Sequence, residues 1–264
     1  MFSGFLGSKS QPGTDFGERM LNAVATQSLR HLFTQSEFIE VAVRCYPSSK
    51  LLQGSIDSFK MNGRGLTIRR QFEVEEMSFE TDAVAIDYAS VLGGKLRLKQ
   101  TTQAVARVVL SEAAINRAFT ADLVKQHLQK VDRPELTNLS GGEPISFRAV
   151  NIQLLPDNQV AISAETDLPN RKDVPIRLTA ALEIEKRRRV GFKNPQFDAA
   201  SVPEDMRGLS ETLSAAFAQI LDSMVDLDRF DLDGVMLRLN RLETEGDRLI
   251  FSGYAQIEHF PGNG

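Results

Sequence analysis

The sequence has little of what catalytic and metal sites are usually built from. It contains one cysteine and three histidines in 264 residues. A single cysteine excludes an intrachain disulfide framework. Cys45 alternates with Val41 and Val43 and reads as a small core residue. His31, His127 and His259 are far apart and lack metal-ligand spacing. There is no Gly-x-Ser-x-Gly elbow, phosphate loop or dinucleotide fingerprint. No stretch approaches the ~18–20 apolar residues of a transmembrane helix. The net charge is −4, so the basic footprint of a general nucleic-acid binder is missing. Residues 1–13 have no charged start, apolar run or cleavage site of a secretory signal. These absences lead us to expect a cytoplasmic protein, peripheral to a membrane at most.

What the sequence does contain is long period-2 alternation. From Lys95 to Leu110 the even positions read Leu96, Leu98, Gln100, Thr102, Ala104, Ala106, Val108 and Leu110. This predicts one strand of roughly 16 residues, where ordinary strands run ~5–6. Gln100 and Thr102 interrupt its apolar face. Further strands are predicted at 39–45, 54–68, 72–88, 145–155, 159–168, 174–187 (continuing toward Phe197), 235–243 and 248–258. Between 72 and 88 the apolar face switches twice, predicting bulges or a strong bend, with bulge signals at Glu75-Glu76 and near Asp82-Ala83. Gly63-Arg64-Gly65 falls inside a strand pattern and reads as a bulge.

Three helices are predicted. The first, 15–34, is capped by Asp15 with Glu18 completing a capping box. The second, 111–130, is capped by Ser111. The third follows Pro203, with Met206, Leu209, Leu213, Phe217, Ile220, Leu221 and Met224 on one stripe. Residues 131–144 read as a linker, and 1–13 as a flexible tail before one elongated domain over 14–260.

Several charged groups suggest sites only superficially. Asp226, Asp228, Asp231 and Asp233 lack the register of a calcium loop and read as a half-buried connection. Glu73, Glu75, Glu76 and Glu80 read as a solvated strand face rather than paired catalytic carboxylates. Lys186, Arg187, Arg188 and Arg189 interrupt a strand pattern. They read as a hairpin tip or protected edge, or as a contact for anionic head groups. Phe2, Phe5 and Leu6 belong to the tail, with insertion into a membrane as the functional alternative.

The order of motifs resembles a known family. A capped helix precedes the strand from Val41 to Pro47, then Gly54-Ser55-Ile56-Asp57-Ser58-Phe59-Lys60-Met61. A long strand leads directly into Ser111-Glu112-Ala113-Ala114-Ile115-Asn116. Later come Asp226-Leu227, Gly234-Val235-Met236-Leu237 and Ile250-Phe251-Ser252-Gly253-Tyr254-Ala255. Across about 15–258 this resembles the LmeA-like phospholipid-binding proteins of bacteria, best known in actinobacteria and cyanobacteria. The resemblance implies a fold related to tubular lipid-binding domains, in which a curved antiparallel sheet wraps a long helix and leaves an apolar groove. Family members acting in the cell envelope carry an export signal or anchor, which this sequence does not show.

The expectation is an α+β fold, a long, strongly curved antiparallel sheet on amphipathic helices. The expected function is non-enzymatic binding, with transfer as its extension, of a phospholipid or similar amphiphile at a membrane surface. No cofactor, metal or nucleic-acid partner is expected. Expected lining residues are Phe59, Met77, Phe79, Ile86, Leu213, Phe217 and Leu221. Expected head-group or membrane contacts are Lys186, Arg187, Arg188, Arg189, Phe2 and Phe5. The alternative is a scaffold or assembly factor that binds a protein through its sheet edges.

Overall fold

In the computed structural model, residues 16–30, 33–68, 70–229 and 234–259 are described. The N-terminal part comprises α1 (Phe16–Arg30), β1 (Phe38–Arg44), α2 (Ser49–Leu52), β2 (Ser55–Ile56), β3 (Ser58–Ile68), β4 (Phe72–Thr81), β5 (Val84–Ala85), α3 (Tyr88–Leu92) and β6 (Thr102–Ser111). Next come α4 (Glu112–Ala118), α5 (Asp122–Leu128) and α6 (Pro134–Thr137). Then follow β7 (Phe147–Leu155), β8 (Gln159–Leu168), β9 (Arg171–Glu185), β10 (Arg189–Phe197) and α7 (Arg207–Met224). The hairpin β11 (Val235–Glu245) and β12 (Arg248–Ile257) ends the described structure. The fold is α+β with antiparallel sheets. One sheet runs β1-β3-β4-β6-β12-β11, a second runs β10-β9-β8-β7, and β2 pairs with β5.

Two hydrophobic cores result. The first lies under β1, β3, β4 and the start of β6, with Leu21, Ala25 and Leu29 of α1 packed into it. The second lies between the four-stranded sheet and α7, centred on Leu213, Phe217 and Leu221. The rings of Phe147 and Phe217 sit 4.7 Å apart and tilted. The α7 stripe is the one its helical spacing predicts. Its buried serines have a specific cause. The hydroxyl of Ser210 donates to the Pro175 carbonyl, and that of Ser214 accepts from Arg177 N at 3.2 Å. They satisfy the backbone of β9 near the place where β10 slips register between Lys193 and Gln196.

β11 and β12 serve both cores. Leu239, Leu242 and Leu249 belong to the second, Ala255 and Ile257 to the first. Gly253 is needed where β11 bulges between Leu239 and Arg241, because a Cβ there would lie 2.0 Å from the Arg238 carbonyl oxygen. The two sheets are tied by polar clamps. Ser111 caps α4 by accepting from Ala114 N, as its position predicts. From α4, the Asn116 side chain donates to Ile152 O at 2.9 Å and accepts from Ile152 N at 2.7 Å. Glu112 accepts from Leu154 N. The Ser111–Asn116 motif thus acts as a surrogate strand along the outer edge of β7. At the far end, Thr244 and Asn158 exchange bonds between each other's backbone N–H and side chain.

Four expectations are corrected. The 95–110 run is not one strand. Leu98 bridges to Ile86, the chain bends at 99–100, and β6 begins at Thr102. The helix predicted over 111–130 is two, α4 and α5, broken at 119–121. The supposed linker 131–144 is built into the second core. Leu136 and Ser140 are buried, and Val131 bridges to Ile145. The strand signal at 72–88 ends in a short helix, α3, capped by Asp87. Asp15 lies outside the described residues. The Glu18 carboxylate accepts from Cys45 N, fastening α1 to the end of β1.

Replacing Asn116 with Ala leaves both backbone groups of Ile152 without their partner. Urea unfolding is expected to show a loss of about 1–3 kcal/mol, with Ala113→Ser on the exposed side of α4 as the near-neutral control.

Candidate functional site

The site begins with a bend in a ribbon. β3 and β4 pair antiparallel from Ile68↔Phe72 to Phe59↔Thr81. The same register resumes beyond the sheet as Ile56↔Val84 and Ser55↔Ala85. β2 and β5 are therefore the folded-over tip of the β3–β4 ribbon, bent at Asp57 and at Asp82-Ala83, where the sequence predicts an irregularity. The 97–99 segment then runs alongside the tip. Asp87 N donates to Arg97 O and Lys99 N to Ala85 O, both at about 2.8–2.9 Å, before the chain bends into β6. At Glu75-Glu76 the register is the same on both sides, Arg64↔Glu76 and Leu66↔Val74, so the disturbance there is a break in pairing and not the expected bulge. The β3–β4 ladder skips the Gly65/Glu75 position, where Gly65 adopts φ +57°. There the buried positions shift from Met77 and Phe79 to Val74.

Polar groups hold the bend. The Thr81 hydroxyl accepts from Phe59 N at 3.1 Å and donates to Asp82 O at 2.8 Å. The Asp57 carboxylate accepts from Tyr46 N at 2.6 Å and pairs with Lys50 at 2.5 Å. The Lys50 hydrogen bond, with that of Tyr46 N–H, holds the Asp57 carboxyl below its ordinary value of 3.8. Nearby, the Cys45 thiol is buried and donates to Ser55 O, and burial pushes its pKa above the ordinary 9.0.

Under the bent tip lies a narrow cleft of about 10 Å³ lined by Ile56, Phe59, Thr81, Val84, Ile86, Leu96, Leu98, Thr102 and Ile257. Its walls come from β2, β3, β4, β5, the 96–98 segment, β6 and β12. The volume suits about one water, against ~300–1,000 Å³ for a site that holds a drug-sized ligand. The cleft is therefore a narrow, apolar seam.

The seven expected lining residues are all buried, but they divide. Phe59 and Ile86 line the cleft, and Met77 and Phe79 lie in the same core. Leu213, Phe217 and Leu221 lie in the other core under the four-stranded sheet. Sequence reasoning missed Ile56, Thr81, Val84, Leu96, Leu98, Thr102 and Ile257 as lining. The alternation of Leu96, Leu98 and Thr102 was the available signal.

The basic run is engaged with its own protein. Arg187 donates to Asn240 Oδ1 at 2.6 Å and lies over the Tyr254 ring. Arg188 pairs with Asp228 at 2.5 Å, and Arg189 with Glu185 and Asp222. Hydrogen bonds from Arg188 and then Arg238 hold the Asp228 carboxyl low. Lys186 is exposed and makes no ion pair among the described residues. The run forms the tip of the β9–β10 hairpin, docked on β11 by Leu239 N donating to Arg187 O. Phe2, Phe5, Leu6, His31, Asp231 and Asp233 lie outside the described residues. Each glutamate of the 73–80 group pairs with a cation: Glu73 with Arg117, Glu75 with Arg248, Glu76 with Arg107 and Glu80 with Lys60. Among the described residues, no group of three or more His, Cys, Asp or Glu could hold a metal ion. Nor is any described helix long and apolar enough to cross a membrane.

The fold is thus that of an α+β protein whose candidate site is apolar. The model of the LmeA-like phospholipid-binding family matches residues 13–253, and the chain belongs to that family. No curated protein and no solved structure was found to match it.

A carboxylate whose pKa is lowered on folding stabilises the fold above its ordinary value, and that stability is lost as pH falls through the folded value. The melting temperature of the wild type is expected to drop as pH falls below 3.8, the ordinary value for Asp57. In Asp57→Asn the melting temperature should be lower at pH 7 and its acid-side drop shallower, as a thermal melt series would show.

Proposed function

We propose that the protein binds a phospholipid-like amphiphile without catalysis, by admitting an acyl chain into the first core through the cleft under the β2–β5 tip. The observation that carries this reading is the cleft itself. In a member of a phospholipid-binding family, it is a seam bounded by seven apolar side chains and two threonines. An acyl chain gains ~0.8 kcal/mol per buried methylene, so a long chain gains about 10 kcal/mol by entering. The tip that such a chain would displace is held to the 97–99 segment by the Asp87 N–Arg97 O and Lys99 N–Ala85 O hydrogen bonds and the Ile86–Leu98 bridge. Transfer between membranes would follow from the same opening and closing.

The reading treats 14–260 as one elongated unit, since β11 and β12 place side chains in both cores. It assigns Leu213, Phe217 and Leu221 to the support of the second core, and the basic run to docking of the β9–β10 hairpin. The scaffold alternative is less well supported, because sheet edges are already occupied. The Asn22 side chain accepts from Val43 N on β1, and Glu18 from Cys45 N just past its end. Asn116 covers β7, and Arg187 O takes Leu239 N on β11.

Filling the seam tests the proposal. Leu98→Trp and Thr102→Phe are expected to reduce uptake of fluorescent phosphatidylglycerol about tenfold or more, with the circular dichroism spectrum retained. A cysteine pair at Ser55 and Ala85 should block uptake when oxidised and restore it when reduced. Uptake unaffected by the filled seam and by the crosslink would place the lipid elsewhere.

A further inference from the structure

The end of the six-stranded sheet that carries the bent tip is also where large apolar side chains are most exposed. Tyr46 is 83 % exposed, Leu52 66 % and Leu92 63 %. Topology brings them to one end. Tyr46 N is tied to Asp57 at the bend. Leu52 closes α2, which leads into β2, and Leu92 closes α3, which follows β5. Because β2 and β5 are antiparallel, the chain enters one and leaves the other on the same side.

Each exposed leucine neighbours a buried one-residue anchor. Leu51 is buried beside Leu52, and Val91 beside Leu92. The two short helices therefore fix the tip with one apolar side chain and hold the next out into solvent. Core packing accounts for the inward residues and gives no reason for the outward ones.

Charge identifies the partner. Lys95, Arg97 and Lys99 are exposed and alternate with Leu96 and Leu98 of the cleft, so their charges point away from it. None forms an ion pair among the described residues. A Cβ on Gly54 would stand 2.5 Å from the Lys99 ammonium, which sets that cation over the start of β2. Two acids of this end are already committed: Asp57 to Lys50 and Tyr46 N, and Asp87 to the Ala89 N–H and Ser90 hydroxyl that it caps. Asp82, at the bend, is exposed. The Arg187–Arg189 guanidiniums, by contrast, are spent on Asn240, Asp228, Glu185 and Asp222.

We infer that the 46–52 and 88–99 segments form a membrane-docking tip that seats on an anionic phospholipid bilayer. Tyr46, Leu52 and Leu92 enter the interfacial layer while Lys95, Arg97 and Lys99 meet the head groups. The inference builds on the lipid-binding reading, because it places the cleft at the surface from which a lipid would come.

Flotation with phosphatidylcholine vesicles containing about 30 % phosphatidylglycerol tests it. The wild type should float, and less so at high salt. Leu52→Asp with Leu92→Asp should cut the floated fraction about tenfold, as should Lys95→Glu with Lys99→Glu, whereas Lys186→Glu should change nothing. Soluble dihexanoyl-phosphatidylglycerol, which needs no bilayer, reads the cleft alone, and its binding should survive Leu52→Asp with Leu92→Asp. A Leu52→Cys protein carrying an environment-sensitive thiol probe should shift its emission to the blue on adding vesicles, with Cys45 buried and unlabelled. Flotation that resists the tip substitutions, or is lost with Lys186→Glu, overturns the tip. So does a wild type that binds the soluble lipid and ignores vesicles, although this leaves the cleft standing. Flotation that depends on the tip without uptake of soluble lipid upholds the tip and overturns the cleft.

Discussion

The arrangement of the first core depends on a register that survives a bend. Phe59↔Thr81 and Ile56↔Val84 belong to one antiparallel ladder, yet they lie on either side of a fold in the ribbon. Bending a ladder breaks backbone hydrogen bonds unless something replaces them. The Thr81 hydroxyl does so at Phe59 N, and Asp57 gathers the backbone of Tyr46 on the outside of the same corner. With register kept, the alternation of inward and outward side chains continues into the tip. Ile56, Val84 and Ile86 are therefore delivered over the end of the sheet as a lid.

The second core is attached by the long β11–β12 hairpin and by side chains standing in for backbone. Across the ladder, Met77, Val108, Phe251 and Leu242 form one apolar row. Met77 lies in the first core and Leu242 in the second, with Val108 and Phe251 half-buried between them. Asn116 and Glu112 close the edge of β7, and Thr244 and Asn158 close its hairpin. This explains why the six residues from the end of β6 into α4 stand out in the sequence. Ser111 caps the helix, and Glu112 and Asn116 are committed to another sheet rather than to solvent.

Much of this was legible beforehand, and the parts that were not share a cause. The α7 stripe and the disturbances near Glu75 and Asp82 follow from local period. The strand at 95–110 was over-read because a bend that preserves parity leaves the alternation intact. Leu96 and Leu98 face the cleft just as Ala104 and Ala106 face the core. The signal of the bend was polar. Gln100 is exposed, and Thr102 sits where β6 begins. Periodicity also reports that Phe59 and Phe217 are buried, but not that they are buried in different cores, which is set by contacts distant in sequence. The basic run was ambiguous for a similar reason. Besides the nearby Glu185, its acids Asp222, Asp226 and Asp228 lie more than thirty residues downstream.

The chemistry of the cleft bears on what kind of selectivity the proposed function allows. Of its two threonines, Thr81 already spends its hydroxyl on the bend, and the other walls are aliphatic or aromatic. A ligand group buried there would find few fixed hydrogen-bond partners, so the cleft would reject polar ligands by desolvation and sort apolar ones by length and bulk. Discrimination among head groups would then have to arise outside it. The cations nearest the cleft and free of ion pairs among the described residues are Lys95, Arg97 and Lys99, which alternate with Leu96 and Leu98. One short segment would thus present charge to a head group on one side and aliphatics to an acyl chain on the other. Its alternation is strand-like, and the bend at 99–100 is what turns it from part of a sheet into the wall of a site.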